Sequence, residues 1–188
     1  MFTRRTFGTS LLAAGAAVTL GCTDEPISPA SGVAPNLFVY RHMPPLMADG
    51  WLNGSLTDGD LRGHVQVVDC FASWCGPCAA EAPALVQLYL KFRFNGVRFW
   101  GMTREGEAKL EAVIQFVRRN HTDWPIAYGA SPMMQFLEVS LIPRVFVVGK
   151  DGIVRWDSQQ SPGSLERAIR DAMLEPDPQA AATTANQS

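Results

Sequence analysis

The 188-residue chain holds only four cysteines and three histidines, and their spacing removes whole classes of chemistry. Cys75 and Cys78 stand two residues apart, so they can close a small disulfide ring or supply half of a metal site. No second closely spaced pair exists to complete such a site. His42, His64 and His121 are scattered, with no ligand spacing to one another or to the cysteines, and no metal is expected. Ala79, not histidine, follows Cys78, which excludes the c-type haem attachment pattern. Long runs of basic charge are missing and the net charge is −2, which argues against nucleic acid and against a basic membrane-surface patch. Flavin and nicotinamide motifs are missing too, and no internal repeat is evident.

The N-terminal segment carries an address instead of a fold. Arg4-Arg5 precede an apolar run from Leu11 to Leu20 that is too short and too rich in Gly and Ala for a stable membrane-spanning helix. A charged start and a short apolar stretch predict an export signal over residues 1–21. Thr3-Arg4-Arg5-Thr6-Phe7 resembles a twin-arginine signal, with an ordinary secretory signal as the alternative. Gly21-Cys22 resembles a bacterial lipoprotein cleavage site, although Thr19 stands where such sites usually carry Leu. Cys22 is therefore the expected lipidation residue, and residues 22–44 a tether holding the protein at a membrane. The alternative is a cleaved soluble protein with a stray cysteine.

The informative part of the chain surrounds Trp74-Cys75-Gly76-Pro77-Cys78. Upstream, Val65 to Phe71 is apolar and β-branched, as a buried strand should be. Downstream, Ala82, Leu85, Val86 and Leu88 recur at helical spacing. Cys75 thus falls near a helix N-terminus, where free N–H groups and the helix dipole favour a thiolate. Further strands are expected at Gly96–Met102 and Trp124–Tyr128, with weaker ones at Phe38–Tyr40 and Trp51–Leu56. Helices are expected over Glu105–Asn120, from Ser131 to about Val139, and over Ser164–Leu174. Ile142 to Trp156 reads as two strands joined at Asp151-Gly152. Residues 45–174 form the expected domain, an α/β sandwich, and 175–188 a disordered tail. Cys70, on a strand beside Asp69, faces the opposite way from it and reads as a small buried apolar residue, its alternative being a third redox cysteine that could trap a disulfide with Cys75.

This order of elements resembles the thioredoxin superfamily over about residues 45–174. Leu61-Arg62-Gly63, the run Phe71 to Cys78, and Glu81 with Pro83 resemble its TlpA/ResA-like branch of exported thiol–disulfide oxidoreductases. The resemblance implies a central mixed β-sheet flanked by helices, with Glu105–Asn120 and Trp124–Tyr128 as the branch's helix–strand insertion. It implies that Cys75 is an exposed nucleophile and Cys78 the buried resolving cysteine. Pro143, after Ile142, becomes the cis-proline facing the disulfide, and Trp74, Gly76 and Pro77 join Ile142 and Pro143 in the substrate surface. Trp74 is expected beside the disulfide, its alternative being a core aromatic. Two acids qualify as proton acceptor for Cys78: Asp69, whose neighbours Val67, Val68 and Phe71 are apolar, and Glu81, whose alternative is a solvated first-turn residue.

The implied activity is reduction of protein disulfides by a redox-active Cys75–Cys78 disulfide with no other cofactor. A membrane thiol reductase would supply electrons. Cytochrome c maturation is one task of such proteins. The expected setting is the periplasm or the outer face of the cytoplasmic membrane, with the protein lipid-anchored and monomeric. Competing readings are a disulfide-forming oxidase using the same residues, a thiol peroxidase, whose loop pattern is missing, and a copper carrier. Met133-Met134 could serve the last but fit better as core filler.

Overall fold

The computed structural model describes residues 41–177. The expected signal, the lipidation residue Cys22, most of the tether, the Phe38–Tyr40 strand and the tail from 178 lie outside them.

A six-stranded mixed sheet carries the fold, in the order β1-β4-β3-β2-β5-β6. Its strands are β1 (Gly50–Leu52), β2 (Val65–Cys70), β3 (Val97–Met102), β4 (Ile126–Tyr128), β5 (Arg144–Val148) and β6 (Val154–Asp157). The helices are α1 (Asp58–Leu61), α2 (Gly76–Phe92), α3 (Leu110–Asn120), α4 (Ser131–Phe136) and α5 (Leu165–Leu174). β2 pairs parallel with β3 and antiparallel with β5, so it lies at the centre with all six residues buried. Such a strand is largely apolar because both faces are covered, with Gln66 and Asp69 as its two polar residues.

Alternation along β2 builds two cores. Val65 and Val67 meet Leu85 and Phe92 of α2, Val113, Phe116 and Val117 of α3, and Ile169 and Ala172 of α5. Val68 and Cys70 face Leu61 of α1 and Met133 and Met134 of α4. Cys70 therefore belongs to the core opposite the one containing Cys75 and Cys78, as the strand period requires. Gly101 of β3 sits opposite Asp69, where a Cβ would come within 2.7 Å of the Ile126 side chain. The close approach of β4 at this point depends on that missing carbon.

Several expected boundaries shift for local reasons. The Trp51–Leu56 strand ends at Leu52 because Asn53 and Gly54 both take positive φ, 56° and 108°. The strand at Trp124 begins only at Ile126, since Pro125 has no N–H to contribute. The helix from Ser131 stops at Phe136, and Glu138, at φ 51°, turns the chain. Residues 105 and 106 precede the next helix, which opens with a 3₁₀ turn at Glu107–Lys109. At the two ends, the packed unit is longer than expected. Met43 N–H donates to Gly152 O, and Val154 N–H to Arg41 O, so residues 41–43 join the sheet instead of the tether. Glu175, expected in the tail, receives Arg155 Nε at 2.9 Å on each carboxylate oxygen, and its carbonyl receives Lys150 Nζ at 2.6 Å.

One ion pair is buried at the β5–β6 end. Arg144 donates from Nη2 and Nε to Asp157 at 2.6 and 3.1 Å, and from Nη1 to Glu138 O at 2.9 Å. The side chains are 2% and 0% exposed. Removing one partner leaves the other charge buried, so Asp157→Ala should cost about 3–5 kcal/mol in urea unfolding. A loss below about 1 kcal/mol, as for surface pairs, would contradict this account of the pair.

Candidate active site

The strand-to-helix junction places the cysteines. β2 ends at Cys70, Cys75 N–H donates to Ala72 O at 3.0 Å to close the turn, and Cys75 becomes the N-cap of α2. Its Sγ accepts the Cys78 N–H at 3.1 Å, the hydrogen bond that a polar cap side chain normally takes. Pro77 occupies the first turn, where its missing N–H costs nothing. Cys75 and Cys78 form a disulfide, with S–S 2.04 Å. Expected as the exposed member, Cys75 is instead only 4% exposed, the same as Cys78. The closed ring packs against the α2-side core, which covers both.

What faces solvent is the flank. Trp74 is 75% exposed, which rules out a core role, and Gly76 and Pro77 are exposed beside it. The Ile142–Pro143 peptide is cis, as expected. Ile142 is partly buried and packs against the cluster that contains both cysteines, and the neighbouring Leu141 is 67% exposed. The loop bearing Pro143 is held by Gln159 Nε2, which donates to Leu141 O at 3.2 Å and to Pro143 O at 3.1 Å.

The two acids come together. Asp69 lies on the β2 face that also presents Val65 and Val67, toward the α2-side core, and is buried. Burial first, then the nearby Glu81 carboxylate, pushes Asp69 up to about 7. Glu81, on the first turns of α2, is half-buried, and burial raises it as well. Neither carboxylate takes a hydrogen bond from the described residues. A carboxyl poised near neutral pH can give and take a proton during thiol chemistry.

Sequence reasoning misses Glu105. Its spacing makes it the first residue of a helix, but its carboxylate accepts from Ser73 N–H and from Ser73 Oγ–H, both at 2.6 Å. A lone acid after a strand carries no local signal for a partner 32 residues away. Among the described residues no group of three or more His, Cys, Asp or Glu could hold a metal ion. Met133 and Met134 are buried, and Met133 Sδ accepts the Met47 N–H. No described helix is long and apolar enough to cross a membrane.

Comparison with known proteins agrees with this geometry. Protein FixW of Rhizobium leguminosarum is 31% identical over 135 residues, covering 65% of this chain and 61% of FixW. A thiol-disulfide oxidoreductase ResA of Bacillus cereus is 29% identical over 96 residues, covering 50% of this chain and 54% of ResA. The chain thus spans between half and two thirds of the length of these relatives. ResA is the branch that the motifs around Cys75 resemble. A crystal structure of a thioredoxin-like superfamily protein superposes with TM-score 0.64 at 22% identity, covering 73% of this chain and 99% of that one. That likeness establishes a thioredoxin-like fold. The Redoxin model matches residues 52–174, most of the chain and the whole of the sheet from Leu52 onward, and the protein belongs to the Redoxin family.

Proposed function

We propose that this protein is a thiol–disulfide oxidoreductase that reduces disulfides in protein substrates outside the cytoplasm. The observation that carries the reading is the Cys75–Cys78 disulfide at the N-terminus of α2, with a buried acid held near 7 on the same side of the sheet. In the reduced protein the Cys75 thiolate attacks a substrate disulfide. One substrate sulfur bonds to Cys75 and the other leaves as a thiolate that takes a proton. Asp69 or Glu81 then accepts the Cys78 proton. The Cys78 thiolate attacks Cys75 Sγ, the second substrate sulfur leaves, and two electrons have passed from the cysteine pair to the substrate.

The exposed apolar side chains of Trp74 and Leu141 flank the cysteine and proline loops and suit a polypeptide substrate better than a small polar one. The Gly76-Pro77 dipeptide, like that of reducing thioredoxins, supports the reductive direction. A membrane thiol reductase is the proposed electron donor and an apocytochrome, or its chaperone, a proposed substrate. The export signal and Cys22 lipidation site read from the sequence support a lipid-anchored location.

Two experiments test the reading. Cys78→Ser should accumulate a mixed disulfide with a disulfide-bonded substrate protein on non-reducing gels, while Cys75→Ser should not. Equal adducts from both variants would overturn the assigned roles. The second concerns Asp69. Folding raises its pKa from 3.8 to about 7, so between those values the folded state keeps a proton that the unfolded state has lost. Its stabilising contribution is full below 3.8 and fades as pH rises through about 7. Asp69→Asn should therefore match the parent near pH 4 and exceed its stability above pH 8 by an amount on the order of 2–4 kcal/mol. Its turnover of insulin disulfides should fall about 10²-fold at pH 7 if Asp69 is the base. Unchanged turnover would assign the proton transfer to Glu81.

A further inference from the structure

We propose that the turn Thr103-Arg104-Glu105, at the end of β3, is a clasp that holds both the loop before Cys75 and the loop before Pro143. In it Glu105 is the positioning residue for the Cys75 loop and Arg104 for the Pro143 loop. The inference rests on the exchange activity proposed above. On one side, the Glu105 carboxylate receives both Ser73 donors at 2.6 Å, two residues before Cys75. Short bonds to a charged acceptor are among the strong ones. Thr103 Oγ1 donates to the same carboxylate at 3.2 Å and fixes its direction. On the other side, Arg104 Nη2 donates to Val139 O, three residues before Ile142. The adjoining carbonyl of Glu138 is held by Arg144, so this loop is gripped at two successive peptides.

The turn itself is anchored. Ala130 N–H donates to Thr103 O at 2.9 Å, Gly129 N–H to Glu105 O at 2.8 Å, and Ser131 Oγ to Arg104 O at 3.4 Å. Thr103 is fully buried. A rigid turn bonded to both loops is the arrangement that keeps a nucleophile and its docking surface in register, where small displacements are costly in rate.

The two arms predict different signatures. The Ser73 contact keeps Cys75 at the helix N-terminus, where its thiolate is favoured. Loss of Glu105 frees that loop. Mere removal of a negative charge would have the opposite sign, making the thiolate easier to form. The test uses the reduced full-length chain, with Cys75 alkylation followed by mass spectrometry against pH, and insulin reduction for kcat and KM. Glu105→Ala should move the Cys75 midpoint upward by about 0.5–1 pH unit and lower kcat/KM by about 5–10-fold. Ser73→Ala, which leaves the charge in place, should move it the same way by less, and the double variant should be no worse than Glu105→Ala. Arg104→Ala should raise KM by about 5-fold and leave the midpoint where it is.

A downward or absent shift in Glu105→Ala, or strictly additive effects with Ser73→Ala, overturns the clasp. If Glu105→Ala does not fold, Ser73→Ala decides alone, and an unmoved midpoint there overturns it too. A wild-type chain that never reduces insulin would remove the activity and the clasp with it. A wild-type chain that does, matched by its Glu105→Ala variant, removes the clasp only.

Discussion

The direct hand-over from β2 to α2 is the constraint on which the rest depends. A strand buried along its whole length leads into a helix whose Cys78 N–H donates to the Cys75 sulfur. Burial fixes where the helix begins, because β2 is paired on both sides and cannot slide without moving its side chains to the wrong face. The helix N-terminus then supplies the electrostatic bias toward a thiolate. Neither element would place Cys75 without the other.

The same burial creates the acid chemistry. Asp69 sits in a strand that otherwise presents mostly valines, and losing water pushes its proton affinity toward neutral. Glu81 adds to this from the helix above. The protein thus holds a carboxyl group near neutral on the disulfide's side of the sheet by the same packing that stabilises the sheet, at a cost in stability when that group must ionise. The buried ion pair of β5 and β6 is treated differently. Arg144 and Asp157 satisfy each other directly and fix the strand that follows Pro143. Among the described residues, the site therefore combines an acid left without a hydrogen-bond partner with a proline loop tightly held.

What the sequence disclosed was whatever rests on local pattern. The Cys75-to-Cys78 motif, its strand and helix, the proline before β5 and the separation of Cys70 from Asp69 all follow from spacing within a few residues. Boundaries were less legible where one residue's backbone decides: Glu138 at positive φ ends α4, and Asn53 ends β1. The contacts that hold the cysteine and proline loops were not legible, since each spans distant positions. Ser73 finds Glu105 across 32 residues, and Arg104 finds Val139 across 35. The exposure of Trp74 was hidden for a related reason, because an aromatic beside a motif looks alike in a core and on a docking surface.

The measurement that tests the central claim most directly is the equilibrium reduction potential of the Cys75–Cys78 pair in glutathione or dithiothreitol buffers. A reductant of protein disulfides predicts a value near that of thioredoxin, about −270 mV. A value near that of a strong oxidant, about −120 mV, would contradict it and make the protein a disulfide-forming catalyst.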